Sequence, residues 1–418
     1  MDMALISLLA VVFVFVVGAF KKNPLHLGIL GLLIAYFIGR IAGIPDVEIM
    51  KFFPTTLFVR LFGIMLFFGI ARANGSLELL AKKMLKKTGK NIKLLPFFIF
   101  FTGVIMGSIG INSLAGMAIL SGIGISLALA SGSNPLLFGI AGGYGIATGC
   151  YSPINEFTAN ITSACEQAGL SVNLFSIYIY ALIAFTVSFT VIYFILGGYK
   201  IKGELKNEVL EDFPPFTKHQ IISIVGIIAV LALVIFLKID VGWAGVIVAV
   251  ACILLGCSKS KDAIKNVPLG SLLLICGVGT LVNLVSSLKG FELMSNGLAQ
   301  IMSNNTVASF MSLTSSIMVL GGTISRLCII TLIPTIPGII KLIPGASVQL
   351  AVTATAVGAF ASSLGPLSAN GALIMQNLGQ QLGEQEASKY FTKQLLMGIV
   401  GGIVVALVGL IASQLGIF

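Results

Sequence analysis

The feature that most constrains this chain is a long stretch without charge: residues 94–155 contain no Asp, Glu, Lys or Arg. A helix crosses a bilayer with roughly 20 apolar residues, so this stretch is too long for a single crossing. Its interior, residues 107–113, consists of glycines, serines, isoleucines and one asparagine, a composition that favours a turn between two shorter helices. The stretch therefore predicts a re-entrant hairpin within a membrane.

A second stretch of the same kind covers residues 293–340, where Arg326 is the single charged residue and residues 321–326 form the polar interior. Each predicted hairpin is followed by an apolar segment that a proline interrupts, at Pro153 and at Pro366. Proline removes a backbone donor and clashes with the preceding turn, so each segment predicts a broken helix. Irregular backbone at membrane depth is tolerated only where protein or water covers it, which makes both breaks candidate functional positions.

The composition favours a membrane protein over a soluble one. Of the 418 residues, 57% are hydrophobic and only 10% are charged, whereas a soluble domain has about 25% charged residues. The net charge of +10 comes from lysines in short loops between apolar segments, which sets membrane topology and argues against nucleic-acid binding. The sequence has no HExxH motif or other cluster of metal ligands, which disfavours an intramembrane enzyme.

An internal repeat relates the two halves of the chain. A shift of 214 residues, which becomes 213 after one deletion, aligns like residues: Gly28 with Gly242, Gly31 with Gly245, Pro54 with Pro268, Gly107 with Gly321 and Pro153 with Pro366. Each half then has five crossings and one hairpin, and because five is odd the second half starts on the opposite side of the membrane. The predicted fold class is an all-α polytopic membrane protein with two inverted repeats, each of five transmembrane helices plus one re-entrant hairpin.

The repeat divides the chain into five predicted regions: a scaffold in 1–92, a transport domain in 93–199, a cytoplasmic linker in 200–218, a second scaffold in 219–304 and a second transport domain in 305–418. Lysines concentrate in the loops on one side, including Lys21, Lys82, Lys200, Lys259 and Lys389. The positive-inside rule makes that side cytoplasmic. Both termini are therefore expected outside the cytoplasm, in the inner membrane of a bacterial-type cell.

Several local motifs carry a family resemblance: Phe52-Phe53-Pro54, Ala73-Asn74-Gly75-Ser76, and the run Gly139–Gly145 that leads into Tyr151-Ser152-Pro153-Ile154. Over roughly residues 25–200 they are similar to malonate and dicarboxylate carriers of the MatC type. The paired hairpins and Pro-broken helices resemble the ion transporter superfamily, whose best-known members are the divalent anion:sodium symporters. The resemblance implies an elevator-type transporter, in which a dimerising scaffold is static and the hairpins and broken helices move.

The candidate substrate site lies where uncapped helix ends meet. Helix N-termini offer unpaired N–H groups and partial positive charge, which suit a desolvated carboxylate. Arg326 must face either substrate or a protein partner, because an unpaired Arg in hydrocarbon costs about 2.5–3.5 kcal/mol. Glu156, directly after the first break, could bind a cation, carry a proton, pair with Arg326 or stand at the outer surface. The predicted substrate-binding residues are Asn112, Ser113, Ser325, Arg326, Pro153 and Pro366.

Sodium is the expected coupling ion, and no other metal or cofactor is expected. In the symporters, Ser-Asn-Thr motifs at the hairpin tips hold substrate and sodium, but here the first tip lacks the Thr and the second lacks the Asn. Hydroxyls, amides and backbone carbonyls of broken helices can supply oxygen ligands without formal charge. The predicted cation ligands are Ser108, Asn112, Gly149, Ser152, Thr323, Ser325, Ser362 and Ser363.

Together these features predict a secondary active transporter, not an enzyme, that carries a small organic anion such as a C4-dicarboxylate or malonate by Na+ symport. The alternative is an antiporter of ions or inorganic anions on the same fold. Proton antiport usually needs acidic residues within the membrane, and Glu156 is the only candidate in the first transport domain. The expected partners are the anion, the lipid bilayer and a second copy of the chain in a homodimer. Arg60 and Arg72, near the ends of one span, are expected to extend to the membrane surface.

Overall fold

The computed structural model describes residues 2–19, 25–86, 92–201, 214–321 and 324–417, and the regular elements in these ranges are all helical. The first half contains α1 (Met3–Ala19), α2 (Leu27–Ile41), α3 (Asp46–Lys51), α4 (Thr55–Ala73), α5 (Ser76–Lys86), α6 (Leu95–Ser108), α7 (Ser113–Ala130), α8 (Pro135–Gly149), α9 (Glu156–Gln167) and α10 (Leu174–Ile195). A short 3₁₀ turn, Gly198–Lys200, follows α10.

The second half contains α11 (Lys218–Ile235), α12 (Val241–Leu254), α13 (Ser260–Lys265), α14 (Leu269–Ser287), α15 (Gly290–Ala299), α16 (Val307–Leu320), α17 (Ser325–Leu332), α18 (Ile336–Leu342), α19 (Val348–Ala361), α20 (Ala369–Leu382), α21 (Glu384–Ser388) and α22 (Phe391–Leu415). A 3₁₀ turn, Ile333–Thr335, connects α17 to α18. The predicted linker falls largely on residues 202–213, which lie outside the described residues.

Helix lengths and composition identify a multi-pass membrane protein. In the described ranges, seven helices are long and apolar enough to cross a membrane, and six more apolar helices are shorter. Two predicted spans, 25–44 and 241–257, contain helices of only 15 and 14 residues. A helix of that length rises about 21 Å, less than a hydrocarbon core of roughly 30 Å. Both helices are therefore shorter than the spans predicted for these segments.

The first predicted hairpin is present as α6 and α7, joined by a buried turn at residues 109–112. Gly110 in this turn has φ +95°, and a Cβ there would lie 2.2 Å from the ring of Phe68 in α4. Asn112 ends the turn, and its side-chain oxygen accepts from the N–H groups of Leu114 and Ala115 at the start of α7. Asparagine is a preferred N-cap because its side chain satisfies these otherwise unpaired donors.

The second interruption separates α16 from α17, with residues 322 and 323 outside the described part of the chain. The N-cap of α17 is Ile324, whose side chain cannot accept a hydrogen bond, and no side chain of the described residues caps this helix. The first N–H groups of α17 therefore lack the side-chain acceptor that Asn112 gives to α7.

Both predicted broken helices are interrupted where the sequence predicts. Residues 150–155 separate α8 from α9, and residues 362–368 separate α19 from α20. The two broken helices are bonded to each other, since the Tyr144 hydroxyl donates to the Ala361 carbonyl at 2.6 Å and the Tyr151 hydroxyl to the Ala356 carbonyl at 2.7 Å. The breaks therefore lie side by side in the protein interior.

Glycines bring helices of the two halves into backbone contact. A Cβ on Gly31 of α2 would lie 3.0 Å from the carbonyl oxygen of Gly277 in α14, and a Cβ on Gly245 of α12 would lie 2.5 Å from that of Gly63 in α4. Each residue of the first contact is offset by 214 positions from a residue of the second. The repeat found in the sequence is thus also a repeat of contacts.

Substitution of Gly63 tests this packing. A Cβ at position 63 would lie 2.0 Å from the carbonyl oxygen of Gly242, so Gly63→Ala must push α4 and α12 apart at a cost of about 1–3 kcal/mol. We expect a lower melting temperature of the detergent-purified protein. Gly297→Ala is the matched control, because a Cβ there has no neighbour within 4 Å. A melting temperature for Gly63→Ala equal to that of Gly297→Ala would contradict the close contact.

Candidate functional site

The N-terminal ends of four helices meet between the two halves: those of α7, α9, α17 and α20. The ring of Phe157 in α9 lies 4.2 Å, centroid to centroid, from the ring of Phe360, which precedes the break before α20. Asn377 of α20 donates to the Ala118 carbonyl of α7 at 3.0 Å, which ties that broken helix to the first hairpin. The hairpin turns and the breaks therefore face one another, as the sequence predicts for a site built from helix ends.

A buried ion pair occupies the centre of this region. The guanidinium of Arg326, the second residue of α17, donates to the carboxylate of Glu156, the first residue of α9. The side chains are only 8% and 3% exposed. The Asn112 amide also donates to the same Glu156 oxygen. Of the alternatives open for Glu156 in the sequence, the structure shows a buried partner of Arg326 and not a residue at the surface.

The energetics of such a pair make the two residues interdependent. Removing both charges from water is expensive, and their attraction offsets this cost only when the geometry and hydrogen bonds are good. Deleting one partner leaves an unpaired buried charge, at a cost of about 3–5 kcal/mol. The pair therefore holds α9 of the first half against α17 of the second.

A cavity of about 230 Å³ lies on one side of the ion pair. One wall comes from α2 and α14, including His26, Ser271 and Leu274. The other wall comes from the starts of α7, α17 and α20, including Ser113, Ser325, Arg326, Ala369 and Asn370. We call this space the arginine cavity. It lies between α2 and α14 on one side and the starts of α7, α17 and α20 on the other.

Three polar side chains of the arginine cavity are buried without a partner. Ser113, Ser325 and Asn370 are 4%, 6% and 7% exposed, and none of their side chains has a hydrogen-bond partner among the described residues. Their polar atoms reach the cavity, since none of them is among the fully enclosed unpartnered atoms of the described residues, Asn160 Oδ1, Ser312 Oγ and Gln394 Oε1. Together with the uncapped start of α17, these groups favour a polar or anionic ligand in the cavity.

A smaller cavity, of about 70 Å³, lies on the other side of the ion pair. Asn112 and Glu156 line it, with Phe68, Arg72 and Glu78 from the scaffold helices α4 and α5. The Glu156–Arg326 pair therefore stands between two spaces. Arg326 faces the larger one and Glu156 faces the smaller one.

Several predicted cation ligands are engaged with protein groups. The Ser108 hydroxyl donates to the Val104 carbonyl at 2.6 Å and lies 2.8 Å from the Tyr178 hydroxyl. The Ser362 hydroxyl donates to the Gly398 carbonyl at 3.1 Å, and the Ser363 hydroxyl donates to the Phe360 carbonyl at 2.7 Å. The structure thus does not gather these three hydroxyls into one site.

The remaining predicted site residues occupy varied positions. Gly149 packs against α6, where a Cβ would lie 2.3 Å from the Val104 carbonyl oxygen. Ser152 and Pro366 are buried in the two breaks, and Pro153 is half-buried. Pro153 and Pro366 line neither cavity described above. Thr323 lies outside the described residues.

Arg60 is paired with acidic side chains. It donates to Asp240 at the start of α12 at 2.6 Å, and to both carboxylate oxygens of Glu166 in α9 at 2.8 and 3.0 Å. Arg72 donates to the Asn266 carbonyl at 3.1 Å. Arg60 thus connects α9, which follows the first break, to α4 and α12.

Sequence reasoning assigned only Ser113, Ser325 and Arg326 of the arginine cavity to the site, and among the residues that it missed are His26, Ala369 and Asn370. Ala369 and Asn370 follow the second break, and the repeat offers a signal for them. Shifting Glu156 by the 213 residues that align Pro153 with Pro366 leads to Ala369. His26 has no such signal, because only the packing of α2 against α14 brings it to the cavity.

Comparisons with known proteins place this geometry in a wider context. Residues 1–150 match the sequence model of a family described as the dicarboxylate carrier protein MatC N-terminus. None of the curated proteins matches the chain by sequence. The crystal structure of the Alcanivorax borkumensis YdaH transporter is similar in fold, with a TM-score of 0.67 and 14% sequence identity, over 91% of this chain and 88% of that chain. The chain is therefore a multi-pass membrane protein with the fold of a transporter, and its first 150 residues resemble the dicarboxylate carriers.

Proposed function

We propose that this protein is a secondary active transporter of a small organic anion, a dicarboxylate of the C4 or malonate class, and that the arginine cavity is its substrate site. The observation that carries the proposal is a guanidinium that lines a cavity of about 230 Å³ with three buried, unpartnered polar side chains. A carboxylate matches the planar donor fork of Arg326. The resemblance of residues 1–150 to a dicarboxylate carrier supports the same substrate class.

Charge balance supports cation coupling. Glu156 neutralises Arg326, so a bound carboxylate adds negative charge in a region of low dielectric. Such a charge is costly unless a cation accompanies it. Sodium is the cation that we propose, entering beside Glu156 from the smaller cavity, and the cycle is then symport.

Contacts between the halves support the inverted repeat. Gly28 contacts Leu273 and Gly31 contacts Gly277, so α2 and α14 run in the same direction. The counterpart of α14 in the first half is α4, which follows α2 after a short connection and returns across the membrane. Because α14 is parallel to α2, it runs in the direction opposite to α4. Corresponding helices that run in opposite directions are expected for two copies of opposite orientation.

This arrangement is suited to an elevator mechanism. The arginine cavity lies between α2 and α14, which we assign to the static scaffold, and the hairpins and broken helices, which we assign to a mobile transport domain. Movement of the transport domain past the scaffold would carry the cavity from one side of the membrane to the other. We further propose a homodimer in the inner membrane, with both termini outside the cytoplasm.

Uptake by reconstituted protein tests the substrate site. We expect wild-type proteoliposomes to accumulate labelled succinate or malonate more strongly with an inward sodium gradient than without one. Arg326→Ala should abolish uptake while the protein still inserts, because the variant lacks the group that replaces the water around the carboxylate. Glu384→Gln, at an exposed position in α21, is the control and should transport as the wild type does.

The unpaired Glu156 in Arg326→Ala could unfold the protein, so the double variant Glu156→Gln/Arg326→Gln is needed as well. It removes both charges together and should be folded and inactive. Uptake at the wild-type rate by either variant would eliminate Arg326 as a substrate ligand.

Cross-linking of α4 to α9 tests the proposed motion. Arg60 and Glu166 are paired in this conformation, so cysteines at both positions, in a background without the native cysteines, should be joined by a bifunctional thiol reagent that spans an Arg–Glu pair. We expect quantitative cross-linking to stop transport, and cleavage of a reducible linker to restore it. The singly substituted variants, treated in the same way, are the controls. Undiminished transport by the cross-linked protein would contradict movement of α9 past α4.

A further inference from the structure

The two halves differ at one position that matters for charge. In the first half, α9 begins with Glu156 directly after its N-cap Asn155. In the second half, α20 begins with Ala369 directly after its N-cap Ser368. The two positions are related by the same shift of 213 that aligns Pro153 with Pro366. A carboxylate in one half thus corresponds to a methyl group in the other.

The arginine cavity lies where this carboxylate is missing. Glu156 occupies the space next to Arg326 at the start of α9, whereas at the start of α20 the side chain ends at Cβ and Ala369 is exposed to the cavity. Asn370, the next residue, is only 7% exposed. It lines the same cavity, and its side chain has no hydrogen-bond partner among the described residues. The cavity therefore combines a vacant carboxylate position with an unpartnered amide and a guanidinium.

We propose that a carboxylate group of the substrate occupies the position that Ala369 leaves vacant, with Glu156 and the substrate on two sides of Arg326. The inference rests on the proposed transport function and assigns the subsite within it. The guanidinium has five N–H donors in one plane, so it can serve two carboxylates at different edges. Asn370 and Ser325 supply further donors, and the small side chain of Ala369 sets the room available to the carboxylate.

The uncapped start of α17 fits the same subsite. The starts of α7, α9 and α20 each have a side-chain cap, from Asn112, Asn155 and Ser368, whereas in the part of the chain that the structure describes α17 has none. A carboxylate beside Ser325 and Arg326 would provide the acceptor that this helix start lacks, and it would meet the positive end of the helix dipole. The substrate carboxylate would then fill the space next to Ala369 in α20 and would also cap the start of α17.

Ala369→Glu tests this assignment, because it places a protein carboxylate where the substrate carboxylate is expected. We expect the affinity for succinate and malonate, measured by ligand-induced change in melting temperature and by calorimetry, to fall by roughly tenfold or more. The unliganded variant should melt at a higher temperature than the unliganded wild type, because the new carboxylate meets donors that had no partner. Ala130→Glu, at an exposed position at the end of α7, is the control and should change neither value.

Asn370→Ala provides a second test that adds no bulk to the cavity. It removes an amide from the cavity wall and should also weaken binding of both probes, whether or not the glutamate variant folds. Wild-type affinity in Asn370→Ala, or in a folded Ala369→Glu protein, would overturn the assignment of the subsite. A wild-type protein that binds neither succinate nor malonate would overturn the proposed substrate class as well, so the two failures are distinguishable.

Discussion

The ion pair between Glu156 and Arg326 is the interaction on which the rest of the site depends. Each charge would be prohibitively costly in this interior without the other. Because one residue starts α9 and the other lies in the first turn of α17, the pair joins the first broken helix to the second hairpin. Neither half of the chain can complete this site alone, so formation of the site requires that the halves pack together.

Packing of the helices places the Glu156–Arg326 ion pair in the protein interior. Short helices such as α6, α8, α16 and α19 are brought together by glycines that allow backbones to touch, as Gly145 does against Phe100. Hydroxyl groups of Tyr144 and Tyr151 then satisfy carbonyls of the neighbouring broken helix. Breaks in helices are tolerated here because protein covers them. The result is a set of helix starts with fixed orientation, three of which, those of α7, α17 and α20, face the larger cavity. Among these three, α17 is the one without a side-chain cap from the described residues.

The two halves of the repeat differ in which helix start has a carboxylate. A glutamate at position 369, as at position 156, would put a second carboxylate at the start of α20, in the cavity that Arg326 lines. With alanine at this position, the residues that line the cavity include a guanidinium, an amide and hydroxyls but no carboxylate. The clamp of Arg60 with Glu166 and Asp240 is also unsymmetric in the repeat, and it connects the scaffold to α9 at a distance in sequence of more than 100 residues.

The first hairpin turn, the interruption between α16 and α17 and both helix breaks could be predicted from the sequence, because glycine, proline and the absence of charge act locally and are visible in a single chain. The sequence left the partner of Arg326 open between the substrate and a protein group, since Glu156 is 170 positions away. The acidic partners of Arg60 are also distant in sequence, because they come from α9 and from the start of α12. The assignment of Ser362 and Ser363 to a cation stays a prediction. The Ser363 hydroxyl donates to a carbonyl three residues earlier, whereas the Gly398 carbonyl that accepts from Ser362 is brought within reach only by the packing of α22. The spans predicted around α2 and α12 are longer than the helices, because hydropathy does not distinguish an apolar residue in a loop from an apolar residue in a helix.

The most direct test of the account is an experimental structure of the protein with a dicarboxylate bound, determined in lipid nanodiscs. The account predicts substrate density in the arginine cavity, with one carboxylate within hydrogen-bond distance of both the Arg326 guanidinium and the Asn370 amide. Substrate bound elsewhere, with Asn370 still unpartnered and the cavity beside Ala369 empty of it, would contradict the account.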